Sequence, residues 1–325
     1  MTDIDHVKGN FSVYNSGEYV VLTGSKLCIF RPDGSQIACR KDLRYADRIT
    51  FLPGSRMLLC SKAVFYMVDL ATGGDLWSAP YIKTNFNPYD FAVSPDGAYA
   101  YTYDRRNSRN LLTRLELLTP EHEVEICELN LDPGATWDIL CDEEGVPCLL
   151  KTLIEIVGGR NYSVEGVRLH DFYYFPEHTS TWKTKWFFPL EEGNSALRFL
   201  GSTDRILTSG LQIRTPSAGA LLPLLEAGEE ALLPKDQGCP RCHMDSTGRY
   251  LYLTYLTCTA ILDLQEKKVA ARYASISQGS LVGAEYWICG EGKLCRKPFP
   301  AFEEIPPVKK MGSMDWYFAS RPELW

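Results

Sequence analysis

The sequence predicts an all-β chain, a seven-bladed β-propeller of four-stranded antiparallel blades. Three observations carry that expectation. A hairpin pattern recurs along the chain, a second hairpin follows most copies, and the pair returns about every 40–45 residues, the period of a propeller blade rather than of a sandwich strand. The first hairpin is plainest where Phe91-Ala92-Val93 and Tyr99-Ala100-Tyr101 alternate on either side of Ser94-Pro95-Asp96-Gly97. Such a Pro-Asp-Gly cluster between alternating runs is a turn with a mechanism, because Pro presets one φ and Asp caps its own backbone.

The same layout surrounds Asp245-Ser246-Thr247-Gly248 and Asn15-Ser16-Gly17, with weaker copies around Pro53-Gly54, Glu144-Gly145, Ser202-Thr203 and Gly283. The second hairpin is clearest in Phe65 to Trp77, which turns on Ala71-Thr72-Gly73-Gly74, and again around Arg31-Pro32-Asp33-Gly34 and Gln265-Glu266-Lys267. Seven copies fit between Asn10 and about Lys310, so one propeller domain is expected to span residues 1–325. Closing the ring removes exposed sheet edges, and either Ile4 to Val7 or Trp316 to Ala319 is expected to complete a terminal blade.

Two stretches depart from the repeat. Residues 149–157 and 164–175 are expected to pair as an extended blade-four hairpin around 158–161, the extension running over about 149–188. Its aromatic residues, among them Tyr173, Phe175, Trp182 and Trp186, form a candidate partner platform. The segment 211–235, with Pro216, Pro223 and Pro234, is expected to hold irregular outer strands or a short helix.

Composition bounds the function. Apolar residues make up 45% and charged residues 23%, which excludes a disordered or collagen-like chain. Thirty-four Lys and Arg against 41 Asp and Glu leave a net charge of -7, so phosphate backbones gain nothing from the overall field and nucleic acid is not an expected partner. No membrane association is expected either. The first twenty residues carry Asp3, Asp5 and Glu18 and no apolar stretch of signal-peptide length, and the eleven cysteines are odd in number and sit mostly in apolar runs. Both point to a cytoplasmic protein with reduced thiols.

The Ser-Pro-Asp-Gly turn after the innermost strand and the Asp69-Leu70-Ala71-Thr72-Gly73 turn later in the blade resemble bacterial β-propellers of the YVTN and quinoprotein amine dehydrogenase-like (WD40-like) type. The resemblance covers nearly the whole chain and implies the fold. It implies no single activity, because this superfold hosts enzymes, scaffolds and binding proteins. Trp137-Asp138 is not at the end of a third strand, where WD40 repeats carry that pair.

Cys239-Pro240-Arg241-Cys242-His243 matches the C-x-x-C-H spacing of c-type haem attachment. Its last residues fall inside an inner strand by alignment with Phe91 and Ala92, which favours a plain strand entering the blade. No cofactor and no metal are expected. The sequence has no G-x-S-x-G, H-E-x-x-H, Walker-type loop or strand-linked G-x-G-x-x-G, so catalysis is left open, with a non-enzyme favoured.

Aligning the blades gives the candidate site. Residues just before each innermost strand ring one mouth of a propeller's channel, and the aligned positions are Asn10, Arg48, Asp90, Asp138, Ala196 and Arg241. Tyr89 and Trp137 precede the two aspartates, which suggests an acidic pocket with aromatic walls. The expected function is a monomeric, non-enzymatic module that binds a protein or peptide at this mouth and on the blade-four extension. The alternative is a propeller-type hydrolase or lactonase, with a metal or small ligand at the mouth. For it, Asn10, Asp90 and Asp138 would hold a divalent metal that polarises a carbonyl, against the opposing charges of Arg48 and Arg241.

Overall fold

A computed structural model describes residues 11–46, 48–62, 64–80, 91–106, 109–119, 123–129, 135–156, 160–171, 181–189, 196–234, 237, 240–275, 277–290 and 293–307. The described residues are almost all strand and turn. They form seven consecutive antiparallel sheets, each built from strands adjacent in the chain. Sheet one contains β1 (Phe11–Asn15), β2 (Val20–Gly24), β3 (Leu27–Phe30) and β4 (Gln36–Arg40). Sheet two contains β5 (Arg48–Leu52), β6 (Arg56–Ser61), β7 (Val64–Asp69) and β8 (Asp75–Pro80). Sheet three contains β9 (Ala92–Val93), β10 (Tyr99–Arg106), β11 (Arg109–Glu116) and β12 (Val124–Leu129).

Sheet four contains β13 (Ala135–Cys141), β14 (Pro147–Ile156), β15 (Arg160–Asp171) and β16 (Thr181–Pro189), and sheet five β17 (Ala196–Phe199), β18 (Ile206–Thr208), β19 (Gln212–Thr215) and β20 (Ala220–Pro223). Sheet six contains β21 (Arg241–Met244), β22 (Tyr250–Thr254), β23 (Thr259–Asp263) and β24 (Lys268–Tyr273). Sheet seven shows three strands among the described residues, β25 (Ser280–Val282), β26 (Glu285–Gly290) and β27 (Lys293–Pro298). These are the seven blades the repeat predicts. Both segments proposed to complete a terminal blade, Ile4 to Val7 and Trp316 to Ala319, lie outside the described residues.

The turns form for the reasons the sequence suggests. At Ser94-Pro95-Asp96-Gly97 the Ser94 N–H bonds to the Tyr99 carbonyl at 2.9 Å, the Ser94 hydroxyl donates to Asp96 at 2.6 Å, and Asp96 accepts the Ala98 N–H at 3.0 Å. Asp245 and Asp142 start the equivalent turns of sheets six and four, accepting from the backbone of Tyr250 and Val146. In the second hairpin of sheet two, Asp69 accepts from Ala71 and from the Thr72 hydroxyl. Gly73 closes that turn at φ +76°, and a Cβ there would lie 2.2 Å from the Ala38 Cβ of sheet one.

The sheets group into two compact units, one holding sheets one, six, seven and nearly all of two, the other sheets three, four and five. In the first unit, Val13, Leu22, Cys28 and Phe30 of sheet one bury against Val282, Trp287, Cys289 and Leu294 of sheet seven. At roughly 1.5–3 kcal/mol per buried large apolar side chain, this seam between the first and last sheets is a strong one. The other face of sheet seven, with Tyr286 and Ile288, packs on Tyr252, Ile261, Ala271 and Tyr273 of sheet six. After β27 the chain runs parallel to β24, where Arg272 and Phe302 form a bridge that covers an otherwise open edge.

In the second unit, Tyr101, Tyr103 and Leu112 of sheet three meet Ile139, Leu149 and Val167 of sheet four, and Leu150, Val164 and Phe188 of sheet four meet Phe199 and Ile206 of sheet five. The extended hairpin of sheet four is present, but its ladder runs further than expected. Ile156 pairs with Arg160 and Glu155 with Asn161, so Arg160 and Asn161, expected in the turn, are strand residues. Each added pair satisfies backbone groups that a four-residue tip would leave to water. In the segment 211–235 the structure has β19, β20 and two single-turn 3-10 helices, Pro216–Ala218 and Glu229–Leu232. Among the described residues no helix is long and apolar enough to cross a membrane.

Candidate functional site

In sheets one, three, four, five and seven the first strand is the inner one: β9 lies against β13, β13 against β17, and β1 against β25. The sequence sets the mouth residues just before inner strands, yet Arg48, Trp137, Asp138, Ala196 and Arg241 fall inside the first strands of their sheets. Asn10, Tyr89 and Asp90 lie outside the described residues. Arg48 opens β5 and Trp137 lies within β13, and only their backbone is described. Two members can be followed in full, Asp138 and Arg241. They hold matching places in their blades, since each lies four residues ahead of the aspartate that starts its turn, Asp142 and Asp245.

Asp138 is buried, 7% exposed. Pairing slips between Thr136 and Asp138, so Trp137 is the extra residue of a β-bulge, a device that re-aims the side chains beside it. The carboxylate accepts the Ile139 N–H at 3.0 Å and reaches across to β17, where it accepts the Phe199 N–H at 2.8 Å. The Arg198 guanidinium lies 3.8 Å away. This side chain ties sheet four to sheet five, and the sequence carries no sign of that use beyond the aspartate itself.

Arg241 is different. It opens β21 exposed to water, and yet the surrounding protein lowers its pKa by desolvation, against a small opposing pull from Tyr14. His243, two residues on, shares its face of the strand. The His243 ring meets Tyr14 of β1 edge to face, with centroids 5.7 Å apart, and lies 5.8 Å from Tyr252 behind it.

Sheets six and one are not neighbours, because sheet seven packs between them. Rings from the two can touch only on the inner side of β25, so the Tyr14–His243 contact fixes this cluster on the inner edge. The backbone agrees: the Val13 N–H donates to the Gln278 carbonyl at 2.9 Å and Asn15 Nδ2 to the Leu281 carbonyl at 2.6 Å. From Tyr252 the aromatic file continues to Tyr286 at 6.2 Å and Tyr273 at 4.3 Å. Sequence reasoning named Arg241 but not Tyr14. The signal available for His243 was the period-two spacing from Arg241.

The C-x-x-C-H segment reads as the inner strand. Cys242 and His243 are consecutive residues of β21, so they point to opposite faces. Cys239 lies outside the described residues. Among the described residues no group of three His, Cys, Asp or Glu side chains could hold a metal ion.

Of the proposed aromatic platform, Tyr173 and Phe175 lie outside the described residues, and Trp182 is described by its backbone in β16 alone. Trp186 is half-buried. It stacks on Phe188 at 5.4 Å, donates from Nε1 to the Thr203 carbonyl at 3.3 Å, and covers Gly166, where a Cβ would lie 2.3 Å from the indole. Phe187 is the exposed aromatic of this strand, at 57%.

Searches by structure reinforce the architecture. The chain superposes on the β-propeller domain of Cps50 (Swd1) from Myceliophteria thermophila with a TM-score of 0.53 at 12% identity, covering 92% of this chain and 99% of that one. It superposes equally on virginiamycin B lyase from Staphylococcus aureus (TM-score 0.54, 11% identity, 90% and 96% covered) and on a streptogramin B lyase (0.52, 11%, 90% and 94%). The chain is a β-propeller. No protein-family model and no curated protein matches the sequence. The propeller domain of Cps50 and two lyases on one fold are what a superfold offers, so function rests on the site.

Proposed function

We propose that this propeller is a non-enzymatic recognition module that binds a peptide segment of a protein partner at the inner edge of its blades. The observation that carries the reading is the convergence of Arg241, Tyr14 and His243 inside β25, from two blades that do not adjoin. A guanidinium offers planar, charge-assisted donors suited to a carboxylate, and the two rings offer flat apolar contact beside it. The peptide class that fits is one carrying an acidic side chain or a free C-terminal carboxylate next to an apolar residue. Short hydrogen-bonded strands keep these groups in place before binding, which limits the entropy lost on association.

The test is selection from a displayed random peptide library, run in parallel on wild type and Arg241→Glu. The reading expects Asp, Glu or C-terminal carboxylates to be enriched on wild type and lost on the variant. The same sequences enriched on both proteins, or none on either, would remove the inner edge as the recognition site.

A further inference from the structure

Three thiols run from the surface into the seam between sheets one and seven. Cys39 of β4 is exposed, while Cys28 of β3 and Cys289 of β26 are buried. Cys28 and Cys39 are direct partners in the antiparallel ladder, between the pairs Leu27–Arg40 and Ile29–Ala38, so both side chains leave the same face. Cys39 acts on the Cys28 thiol across this pair, as a cause of its raised pKa. Directly opposed residues of an antiparallel pair have Cα atoms about 4.5–5.5 Å apart, inside the roughly 4.4–6.8 Å window that a disulfide spans. On this face Cys28 belongs to the apolar cluster with Trp287, Cys289 and Leu294.

We infer that Cys28 and Cys39 form a peroxide-sensitive thiol pair that closes to a disulfide across β3 and β4 without changing the strand register. The order of events follows from burial. Burial, with Cys39 as a second cause, raises the Cys28 thiol far above its usual range, so the exposed Cys39 reacts first. Its thiolate attacks one oxygen of hydrogen peroxide; the O–O bond breaks, an S–O bond forms, and the departing hydroxide takes a proton to become water. Cys28 then loses its proton and attacks the Cys39 sulfur, so that the S–O bond breaks, the S–S bond forms and a second water leaves. Two thiols and one peroxide become one disulfide and two waters. The sulfurs give up two electrons and the peroxide accepts them.

Because Arg31 precedes Pro32, trypsin releases Leu27 to Arg40 as one peptide holding both cysteines. The experiment treats the native full-length chain with hydrogen peroxide, alkylates it after denaturation, and reads this peptide by mass spectrometry with and without dithiothreitol. The inference expects a peptide two hydrogens lighter that takes up no alkylating agent until reduced, with an unchanged far-ultraviolet circular dichroism spectrum. In Cys39→Ser, which alters only the exposed partner, Cys28 should remain alkylatable at the same peroxide dose. Four results would overturn it: Cys39 accumulating as sulfinic or sulfonic acid with Cys28 still a thiol, a Cys28–Cys289 disulfide instead, no reaction at either residue, or loss of the strand spectrum on oxidation.

Discussion

Replacing Asp138 with alanine tests whether this carboxylate holds two blades together. The substitution removes the acceptor for two backbone N–H groups, Ile139 at 3.0 Å and Phe199 at 2.8 Å, and both of those residues are buried, at 4% and 3% exposure. A buried donor left unpaired costs about 1–3 kcal/mol, and two of them outweigh the desolvation relieved by removing the carboxylate. A net loss of about 2–4 kcal/mol follows. With about 2.1 cal/mol/K of unfolding entropy per residue, that corresponds to a fall in Tm of roughly 3–6 °C for a chain of this length. Asp138→Asn keeps one acceptor oxygen and should recover about half of the loss. Urea unfolding of the three proteins at pH 7 decides the matter. A loss below about 0.5 kcal/mol for alanine, the range of an ordinary surface substitution, would mean that Asp138 is a solvated mouth residue and that the bond to Phe199 carries no weight.

Gly166→Ala should cost about 1–3 kcal/mol, because its Cβ would meet the Trp186 indole at 2.3 Å; in a Trp186→Ala background the same change should be neutral or mildly stabilising, and equal costs in both backgrounds would show that the two do not touch. Gly73→Ala should cost more than about 1 kcal/mol, through both the φ of +76° and the contact with Ala38, as read by thermal unfolding. Acid sensitivity should come in part from Asp142. Its burial pushes the pKa up, but the bonds from Arg168 and from the Val146 and Glu144 N–H groups outweigh that and hold it below the usual carboxylate value. A depressed native pKa contributes stability above about pH 4 that is lost as pH falls through the native value. Unfolding free energy should therefore drop below about pH 4, and Arg168→Gln should make that drop shallower; an unchanged acid slope would assign it to other groups.

Most of the fold is legible in the sequence because it is written in local signals. Alternation of period two marks the strands, and Asp, Ser and Gly at fixed offsets mark the turns, as at Ser94 to Gly97 and Asp69 to Gly73, where Ser94, Asp96 and Asp69 accept from nearby backbone N–H groups. The blade-four hairpin shows the limit of such signals. Gly158-Gly159 suggested a tip over 158–161, yet the ladder continues to Ile156 and Arg160. The site is less legible for a related reason. Aligning blades by their turns sets Asp138 and Arg241 at the same offset from Asp142 and Asp245, but it puts them before their strands rather than inside them and cannot see the bulge at Trp137, beside which the Asp138 carboxylate reaches Phe199. The meeting of Tyr14 with His243 joins the first blade to the sixth across the seventh. That contact depends on how closely inner strands approach, and no periodicity in the chain encodes it.

The central claim is recognition at the inner edge, and calorimetry with one acidic peptide selected on wild type tests it most directly. The same peptide is titrated into wild type, Arg241→Glu and Phe187→Lys, the last altering an exposed aromatic of the outer strand, with each variant first shown to unfold at the wild-type temperature. The account predicts at least about a tenfold weaker Kd for Arg241→Glu, the loss of one charge-assisted contact of roughly 1.5–3 kcal/mol, and no change for Phe187→Lys. Unchanged affinity for Arg241→Glu with a loss for Phe187→Lys would contradict it and move the binding surface to the outer strands of blade four.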